Sequence, residues 1–224
     1  MKRQYAKRLT ALIAAGMLAV CVMCLSACAD SSGTDSAAAP AATEAAAESA
    51  AAESPAADTS GTILADIDIA DYGTVTVELD PEAAPATVEN FVKLAREGFY
   101  DGLTFHRIME GFMMQGGDPD GNGTGGSDET IVGEFSQNGH DNPISHVRGT
   151  ISMARSNDPD SASSQFFIVQ ADSLFLDGAY AGFGHVVDGM DVVDAICADA
   201  QPVDNNGTIP ADAQPVITSV TIRE

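Results

Sequence analysis

The spacing of apolar residues predicts a small domain built mainly from β-strands. Apolar and polar side chains alternate in residues 62–70 and again in 74–79, and Asp71, Tyr72 and Gly73 separate the two runs. Alternation with a period of two is typical of strands that are buried on one face, so the pair predicts a β-hairpin. A further alternating run, residues 216–222, predicts a last strand.

Two segments have the spacing of helices instead. Apolar residues recur every three or four positions over 88–99, with Thr87 as the expected N-cap and Gly98 near the end. Residues 190–197 predict a second, short amphipathic helix. Short apolar runs divided by Gly, Pro, Asn and Asp lie between the two helices. Many short strands with two helices predict a closed or nearly closed antiparallel barrel.

The first 27 residues have the features of an export signal. Four basic residues precede an apolar run from Leu9 to Cys24, and small residues follow it. This order is typical of a secretory signal peptide, and the apolar run is short for a stable membrane span. We predict that residues 1–27 are a lipoprotein signal peptide and that the rest of the chain lies outside the cytoplasm.

The signal ends in Leu25-Ser26-Ala27-Cys28, which resembles the lipobox of bacterial lipoproteins. The resemblance implies that Cys28 is lipidated, becomes the first residue of the mature chain and anchors it to the cell membrane. An uncleaved N-terminal anchor, or cleavage without a lipid, are the alternatives.

Residues 28–60 have the composition of a solvated tether. After Cys28 they consist of Ala, Ser, Thr, Pro, Gly, Asp and Glu, with no aromatic and no large aliphatic side chain. Such a segment cannot bury a hydrophobic core. We therefore predict a disordered tether over 28–60 and one folded domain over 61–224.

Charge limits the partners of the chain. There are 33 acidic and ten basic residues, a formal net charge of −23. Four basic residues belong to the predicted signal, and the predicted domain keeps six basic against 27 acidic side chains, a formal charge of −21. So acidic a surface excludes nucleic acid held through its phosphates. It also indicates that the lipid, rather than an anionic membrane surface, holds the protein in place.

The cysteines agree with this organisation. Cys21 and Cys24 leave with the signal, and Cys28 would carry the lipid. Only Cys197 remains in the predicted domain, so we expect no intramolecular disulfide there. Its amphipathic surroundings predict a packed core thiol rather than a nucleophile.

The candidate chemistry begins in the string FHRIMEGFMMQGGD at residues 105–118, which predicts two strands with a turn at Gly111. It places Arg107 and Gln115 among Phe and Met side chains. An apolar pocket with one guanidinium suits an uncharged ligand that has a carbonyl group. Four further strings follow at 149–155 (GTISMAR), 163–169 (SSQFFIV), 175–178 (FLDG) and 183–187 (FGHVV).

The FHRI, GFMMQGGD and SQFFI strings, in this order and separation, resemble the cyclophilin family of peptidyl-prolyl cis-trans isomerases over residues 63–222. The resemblance implies a mainly β fold, an eight-stranded antiparallel β-barrel capped by two α-helices. It also implies isomerisation of X–Pro bonds in proline-containing polypeptides, without a cofactor, and we expect a monomer.

The same resemblance assigns site residues one position at a time. It implies catalytic roles for Arg107, Phe112 and Gln115. The positions that it implies for substrate binding are Met113, Ala154, Gln165, Phe167, Phe175, Leu176 and Tyr180. Three residues depart from the best-known eukaryotic pattern, which has Trp in place of Phe175, His in place of Tyr180 and Asn in place of Arg155. Cyclosporin uses that Trp, so we expect the drug to bind weakly.

The physical chemistry of the reaction suits these residues. Resonance gives the peptide C–N bond a rotational barrier of about 18–20 kcal/mol. Twisting the bond localises the lone pair of the prolyl nitrogen, to which the protonated guanidinium of Arg107 can donate, and no general base is needed. The sequence shows no convincing Ser–His–Asp arrangement. The alternative is a module that binds X–Pro segments with little turnover; a solute-binding lipoprotein would need a longer chain.

Acidic residues over 118–129 have the spacing of an EF-hand calcium loop. A strand rather than a helix precedes the loop, and Gly125 takes the place of the usual aliphatic residue. We therefore expect no metal. His106 should face the core because it alternates with Arg107 on a strand. The remaining histidines lack the spacing of metal ligands and are expected to be structural or exposed: His140, His146 and His185.

Overall fold

The computed structural model describes residues 62–224, in which eight antiparallel strands form one sheet that curls into a half-barrel with two helices. The predicted fold class is confirmed. The predicted signal peptide, the tether and Cys28 lie outside the described residues, as does Gly61. Within residues 62–224, no helix has the length and apolar character needed to cross a membrane.

The eight strands and two helices are short. The strands are β1 (Ile63–Ile69), β2 (Gly73–Leu79), β3 (Thr104–Met109), β4 (Met113–Asp118), β5 (Thr150–Met153), β6 (Phe166–Val169), β7 (Gly182–Asp188) and β8 (Ile217–Arg223). The helices are α1 (Pro85–Arg96) and α2 (Met190–Asp199). The order in the sheet is β3-β4-β6-β5-β7-β2-β1-β8. The edge strands also meet at one end, where Thr104 and Val216 form a bridge.

The predicted first hairpin is confirmed. β1 and β2 pair antiparallel, from Ile63 opposite Leu79 to Ile69 opposite Gly73. The inward side chains of both strands are buried, in alternation with more exposed ones. Asp71 adopts φ 67° in the turn, a left-handed conformation that Asp tolerates better than most residues.

The main core lies between the sheet and the helices. Phe91 of α1 contacts the rings of Tyr100, Phe166 and Phe183, with centroids 5.1–5.5 Å apart. Cys197 of α2 is buried in the same core, as predicted. Burial raises the pKa of its thiol to about 12, so the thiol stays protonated and unreactive at neutral pH.

The predicted N-cap of α1 is wrong. The helix begins at Pro85, Ala84 occupies the N-cap position without a side-chain hydrogen bond, and Thr87 lies inside the first turn. The buried carboxylate of Glu134 instead accepts the backbone N–H groups of Ala86 and Thr87, at 3.0 and 2.8 Å, and the Thr87 hydroxyl, at 2.7 Å. A side chain from a distant loop therefore caps the helix, which no local pattern shows.

We expect Glu134→Ala to lower the free energy of unfolding by about 2 kcal/mol, because it removes a capping carboxylate and leaves buried donors without a partner. The matched control is Glu129→Ala, since Glu129 forms an exposed pair with Lys93 and should change stability by less than about 1 kcal/mol. Urea denaturation measures both. Equal effects of the two substitutions would contradict this account of the helix start.

Candidate active site

Two strands carry both the core and a second apolar cluster. Met114 and Phe166 belong to the main core, whereas their neighbours Met113 and Phe167 belong to a separate cluster with Val169 and Leu176. Successive side chains of a strand point to opposite faces of the sheet. β4 and β6 therefore pack against the core with one face and form the floor of a pocket with the other.

The pocket has a volume of about 350 Å³. Eight of the ten residues predicted to be catalytic or substrate-binding line it: Arg107, Phe112, Met113, Gln115, Ala154, Phe167, Leu176 and Tyr180. Further lining residues that the sequence did not assign to the site are His106, Asn122, Gly123, Arg155, Asn206 and Thr208. The structure thus brings most of the predicted set together, while the individual catalytic roles stay predictions.

The floor of the pocket is apolar and tightly packed. Met113 and Phe167 are 1% and 4% exposed, and the Tyr180 ring meets the Phe167 ring edge-on, with 5.8 Å between centroids. Phe175 does not line the pocket. The residue is 73% exposed, and its ring lies against Phe112 at the rim, with 5.5 Å between centroids.

Arg107 lies half-buried at one wall. Its Nε donates to the carbonyl oxygen of Asn206 at 2.7 Å, and its Nη1 donates to Oε1 of Gln115 at 3.3 Å. Arg107 and Gln115 are direct partners on β3 and β4. Burial lowers the pKa of the guanidinium below its ordinary value, although Tyr180 and Asp204 oppose the shift, and an arginine so placed remains protonated at neutral pH.

Gln165 lines an adjoining pocket and is connected to the first pocket by a hydrogen bond with Gln115. Its Oε1 accepts a hydrogen bond from Nε2 of Gln115 at 2.9 Å, and its Nε2 donates to the carbonyl oxygen of Gly125 at 2.7 Å. Together with the contact from Arg107, this chain of hydrogen bonds fixes the Gln115 amide beside the guanidinium.

The loop that holds Arg107 comes from the far end of the chain. Asn206 follows α2, and Asp204 closes its turn by accepting the backbone N–H groups of Asn206 and Thr208 at 2.9 and 3.0 Å. Arg107 and Thr208 also form a β-bridge. The run Asp204-Asn-Asn-Gly207 is a turn signal in the sequence, but nothing in it indicates that the turn meets β3.

The structure contains a Ser–His–Asp arrangement that the sequence did not predict. Nδ1 of His146 is 2.9 Å from Oδ1 of Asp177, and Nε2 is 2.9 Å from Oγ of Ser152. The buried imidazole stacks on the Phe167 ring, with 6.0 Å between centroids and 18° between planes. Ser152 is buried as well, so the arrangement supports the pocket floor from below and presents no nucleophile to a ligand.

His106 is 3% exposed, as predicted for a core residue, but it also borders the pocket. Neither ring nitrogen has a hydrogen-bond partner among residues 62–224. Burial lowers the pKa of His106 and of His146 below the ordinary value, and in His146 the hydrogen bond with Asp177 only partly opposes the shift. Both side chains are therefore neutral at pH 7.

The two end residues of the EF-hand pattern point to different partners. The Asp118 carboxylate accepts backbone N–H groups of its own turn, those of Asp120, Asn122 and Gly123. The Glu129 carboxylate pairs with Lys93 at 3.0 Å. The segment thus forms a tight loop that contributes Asn122 and Gly123 to the pocket wall.

Comparison with known proteins identifies the family. The family model described as cyclophilin type peptidyl-prolyl cis-trans isomerase/CLD matches residues 64–223. The chain is 49% identical over 123 residues to peptidyl-prolyl cis-trans isomerase B of Bacillus subtilis, covering 55% of this chain and 82% of that protein. It is 45% identical over 126 residues to the peptidyl-prolyl cis-trans isomerase of Helicobacter pylori strain J99, covering 55% and 75%.

Among solved structures, a cyclophilin-type peptidyl-prolyl cis-trans isomerase of Cryptosporidium parvum, crystallised in the presence of the dipeptide Ala-Pro, is similar with a TM-score of 0.63 and 28% identity. The match covers 72% of this chain and 99% of that one. The chain belongs to the cyclophilin-type peptidyl-prolyl cis-trans isomerase family, and it is an enzyme of that class. The predicted resemblance to cyclophilins is confirmed.

We expect stability to fall as the pH drops from about 7.5 to 5, because His106 and His146 take up protons more readily in the unfolded chain than in the fold. Their contribution is complete above the unfolded pKa of 6.5 and disappears as the pH falls through the lower folded values. The carboxylates with lowered pKa values reduce the stability mainly as the pH falls below their ordinary pKa of 3.8, which lies outside this pH window.

His146→Asn should therefore flatten the dependence of the free energy of unfolding on pH between about 7.5 and 5. The matched control is the same substitution at exposed His140. Urea denaturation at several pH values measures the slope, and a slope that His146→Asn leaves unchanged would contradict the assignment.

Proposed function

We propose that this protein isomerises X–Pro peptide bonds in exported polypeptides, outside the cytoplasm and close to the membrane to which a lipid on Cys28 attaches it. One observation carries the proposed isomerase activity: the half-buried guanidinium of Arg107 is held at the wall of an apolar pocket. The location is supported by the sequence of residues 1–28, which lies outside the described structure.

The apolar floor of the pocket binds the prolyl ring. Met113, Phe167 and Leu176 are buried already, so their surfaces are arranged before a ligand arrives. Transfer of a pyrrolidine ring from water to this floor is favourable by a free energy of roughly 25 cal/mol per Å² of apolar surface buried. The prolyl ring is held while the acyl group before it rotates. The Cryptosporidium relative crystallised in the presence of Ala-Pro supports such a ligand here.

Arg107 supplies the preference for the twisted bond. In the planar amide the nitrogen lone pair is delocalised, and in the twisted form it becomes an acceptor for a guanidinium N–H. A donor that gains its partner only in the transition state lowers the barrier without tightening the ground state. The bonds from Arg107 to Asn206 and Gln115 hold the group in place beforehand, so little reorganisation accompanies the rotation.

The role in export follows from the slowness of the uncatalysed step. An unfolded chain carries roughly 10–30% cis isomer at each X–Pro bond, and exchange takes tens to hundreds of seconds at 25 °C. A polypeptide that leaves the cytoplasm unfolded waits for these bonds before it can fold. An isomerase at the membrane meets such chains as they emerge. Deletion of the protein should then slow the folding, or lower the abundance, of proline-containing exported proteins.

We expect Arg107→Ala in the full-length protein to lower kcat/KM for an X–Pro peptide about 100-fold or more, because it removes the donor to the twisted nitrogen. Exchange NMR on the peptide measures the rate. Arg96→Ala is the matched control, since it removes the same charge from an exposed pair with Glu224. Wild type and Arg107→Ala with equal rates would contradict the mechanism, and a wild type that binds without acceleration would favour the binding module.

We expect the full-length protein, expressed in a bacterium, to incorporate labelled palmitate and to fractionate with membranes. Cys28→Ser should abolish the label, since the thiol is the proposed acceptor. Cys24→Ser, four residues earlier, is the control and should keep it. Loss of the label from neither variant, or its absence from the wild type, would contradict lipidation at Cys28.

A further inference from the structure

The proline pocket and the adjoining pocket share Gln115 and Arg155, and together we call them the groove. We propose that the groove selects polypeptide segments with an acidic side chain within about three residues of the proline, and that Arg155 is the residue that selects them. The inference rests on the proposed function, because it names the substrates of the same groove. It goes beyond that function because it assigns to the groove a preference for acidic substrates, although the domain itself is strongly acidic.

The pairing of basic side chains first points to the groove. Residues 62–224 contain six basic residues, and four of them form salt bridges with carboxylates: Lys93 with Glu129, Arg96 with Glu224, Arg148 with Asp194, and Arg223 with Asp66. Within this part of the chain, Arg107 and Arg155 have no carboxylate within salt-bridge distance. Both line the same pocket.

Arg155 is held firmly by groups that leave its charge in place. Its Nε and Nη2 donate to the carbonyl oxygen of Ala179 at 3.0 and 2.8 Å, and its Nη1 donates to that of Ser156 at 2.8 Å. The rings of Phe135 and Tyr180 lie 4.9 and 4.8 Å from its Cζ. Carbonyls and rings orient a guanidinium without neutralising it. One N–H on each of Nη1 and Nη2 stays free of partners among the described residues.

The two pockets that Arg155 lines contain no acidic side chain. Arg155 lines the proline pocket and the adjoining pocket of about 230 Å³, where Ser156, Ser161 and Ser163 are neighbours. Neither lining includes an Asp or a Glu, although acidic residues outnumber basic ones 27 to six in the domain. Two arginines without a salt-bridge partner, in pockets whose lining has no acidic side chain, favour a ligand carboxylate there. Asp204 acts on Arg107 from outside the lining, so Arg155 is the better candidate to receive it.

The distance to the proline pocket sets the position of that carboxylate. The Arg155 Cζ lies 4.8 Å from the Tyr180 centroid, which lies 5.8 Å from the Phe167 centroid. The guanidinium is thus at most about 11 Å from the Phe167 ring, which about three extended residues span. A Glu or Asp in this range reaches the free N–H groups in a charge-assisted hydrogen bond.

Salt separates this local contact from the field of the whole domain. The formal charge of −21 repels acidic peptides over long distances, but at about 0.15 M salt the Debye length is only about 8 Å. The contact with partly buried Arg155 is shorter and less screened. The preference should therefore persist at 0.15 M salt and weaken at low salt, where the long-range repulsion grows.

Exchange NMR on proline peptides with Glu, Gln or Lys at each of three positions on either side of the proline tests the inference in the full-length protein. At one position at least, Glu should exceed its isostere Gln about fivefold in kcat/KM, and Lys should fall below Gln. In Arg155→Gln the Glu/Gln ratio should drop to about one. Arg148→Gln, which removes a paired surface charge, should leave the ratio unchanged.

Arg155→Lys keeps the charge and should retain part of the ratio, which a merely structural role of Arg155 would not require. A Glu/Gln ratio of one or less at every position in the wild type, or a ratio that survives in Arg155→Gln, overturns the inference. Calorimetric binding of the same peptides tests it separately from turnover. A Glu preference in binding without acceleration would contradict the proposed isomerase function and leave the charge selection standing.

Discussion

The pleat of two neighbouring strands governs both the stability and the site of this protein. β4 and β6 carry apolar side chains on both faces, and these enter the main core or the pocket floor in alternation. Met114 and Phe166 pack inward, while Met113 and Phe167 form the floor. A shift of either strand by one residue would exchange the two sets. The register that holds the core together therefore also holds the pocket in shape.

Polar groups complete the pocket by contacts that preserve positive charge. Arg107 and Arg155 are both held by backbone carbonyls and neutral side chains or rings, and not by carboxylates. An arginine in a salt bridge would need to break it before meeting a substrate. In a domain with 27 acidic residues, placing two arginines without such partners in one groove concentrates the attraction for electron-rich groups there.

Side chains from loops hold the ends and the underside of this arrangement. The Glu134 carboxylate accepts hydrogen bonds from the first turn of α1, although it lies 47 residues away in sequence. His146 ties the loop before β5 to Ser152 within β5 and to Asp177 beside Leu176, and stacks under Phe167. Both are buried polar groups with their partners in place, which makes the loops part of the structure that supports the pocket.

The sequence by itself determined the first hairpin, the two strands around Gly111, the last strand and the two helices, because local periodicity records which side of each element is buried. Its strings identified the family and most of the pocket lining. It failed where partners are far apart. Thr87 is not the N-cap of α1, and the carbonyl that holds Arg107 comes from Asn206, 99 residues later. The tertiary structure decided these contacts, since they depend on which loops the order of strands in the curled sheet brings together, and loop sequences carry no period that records a distant neighbour.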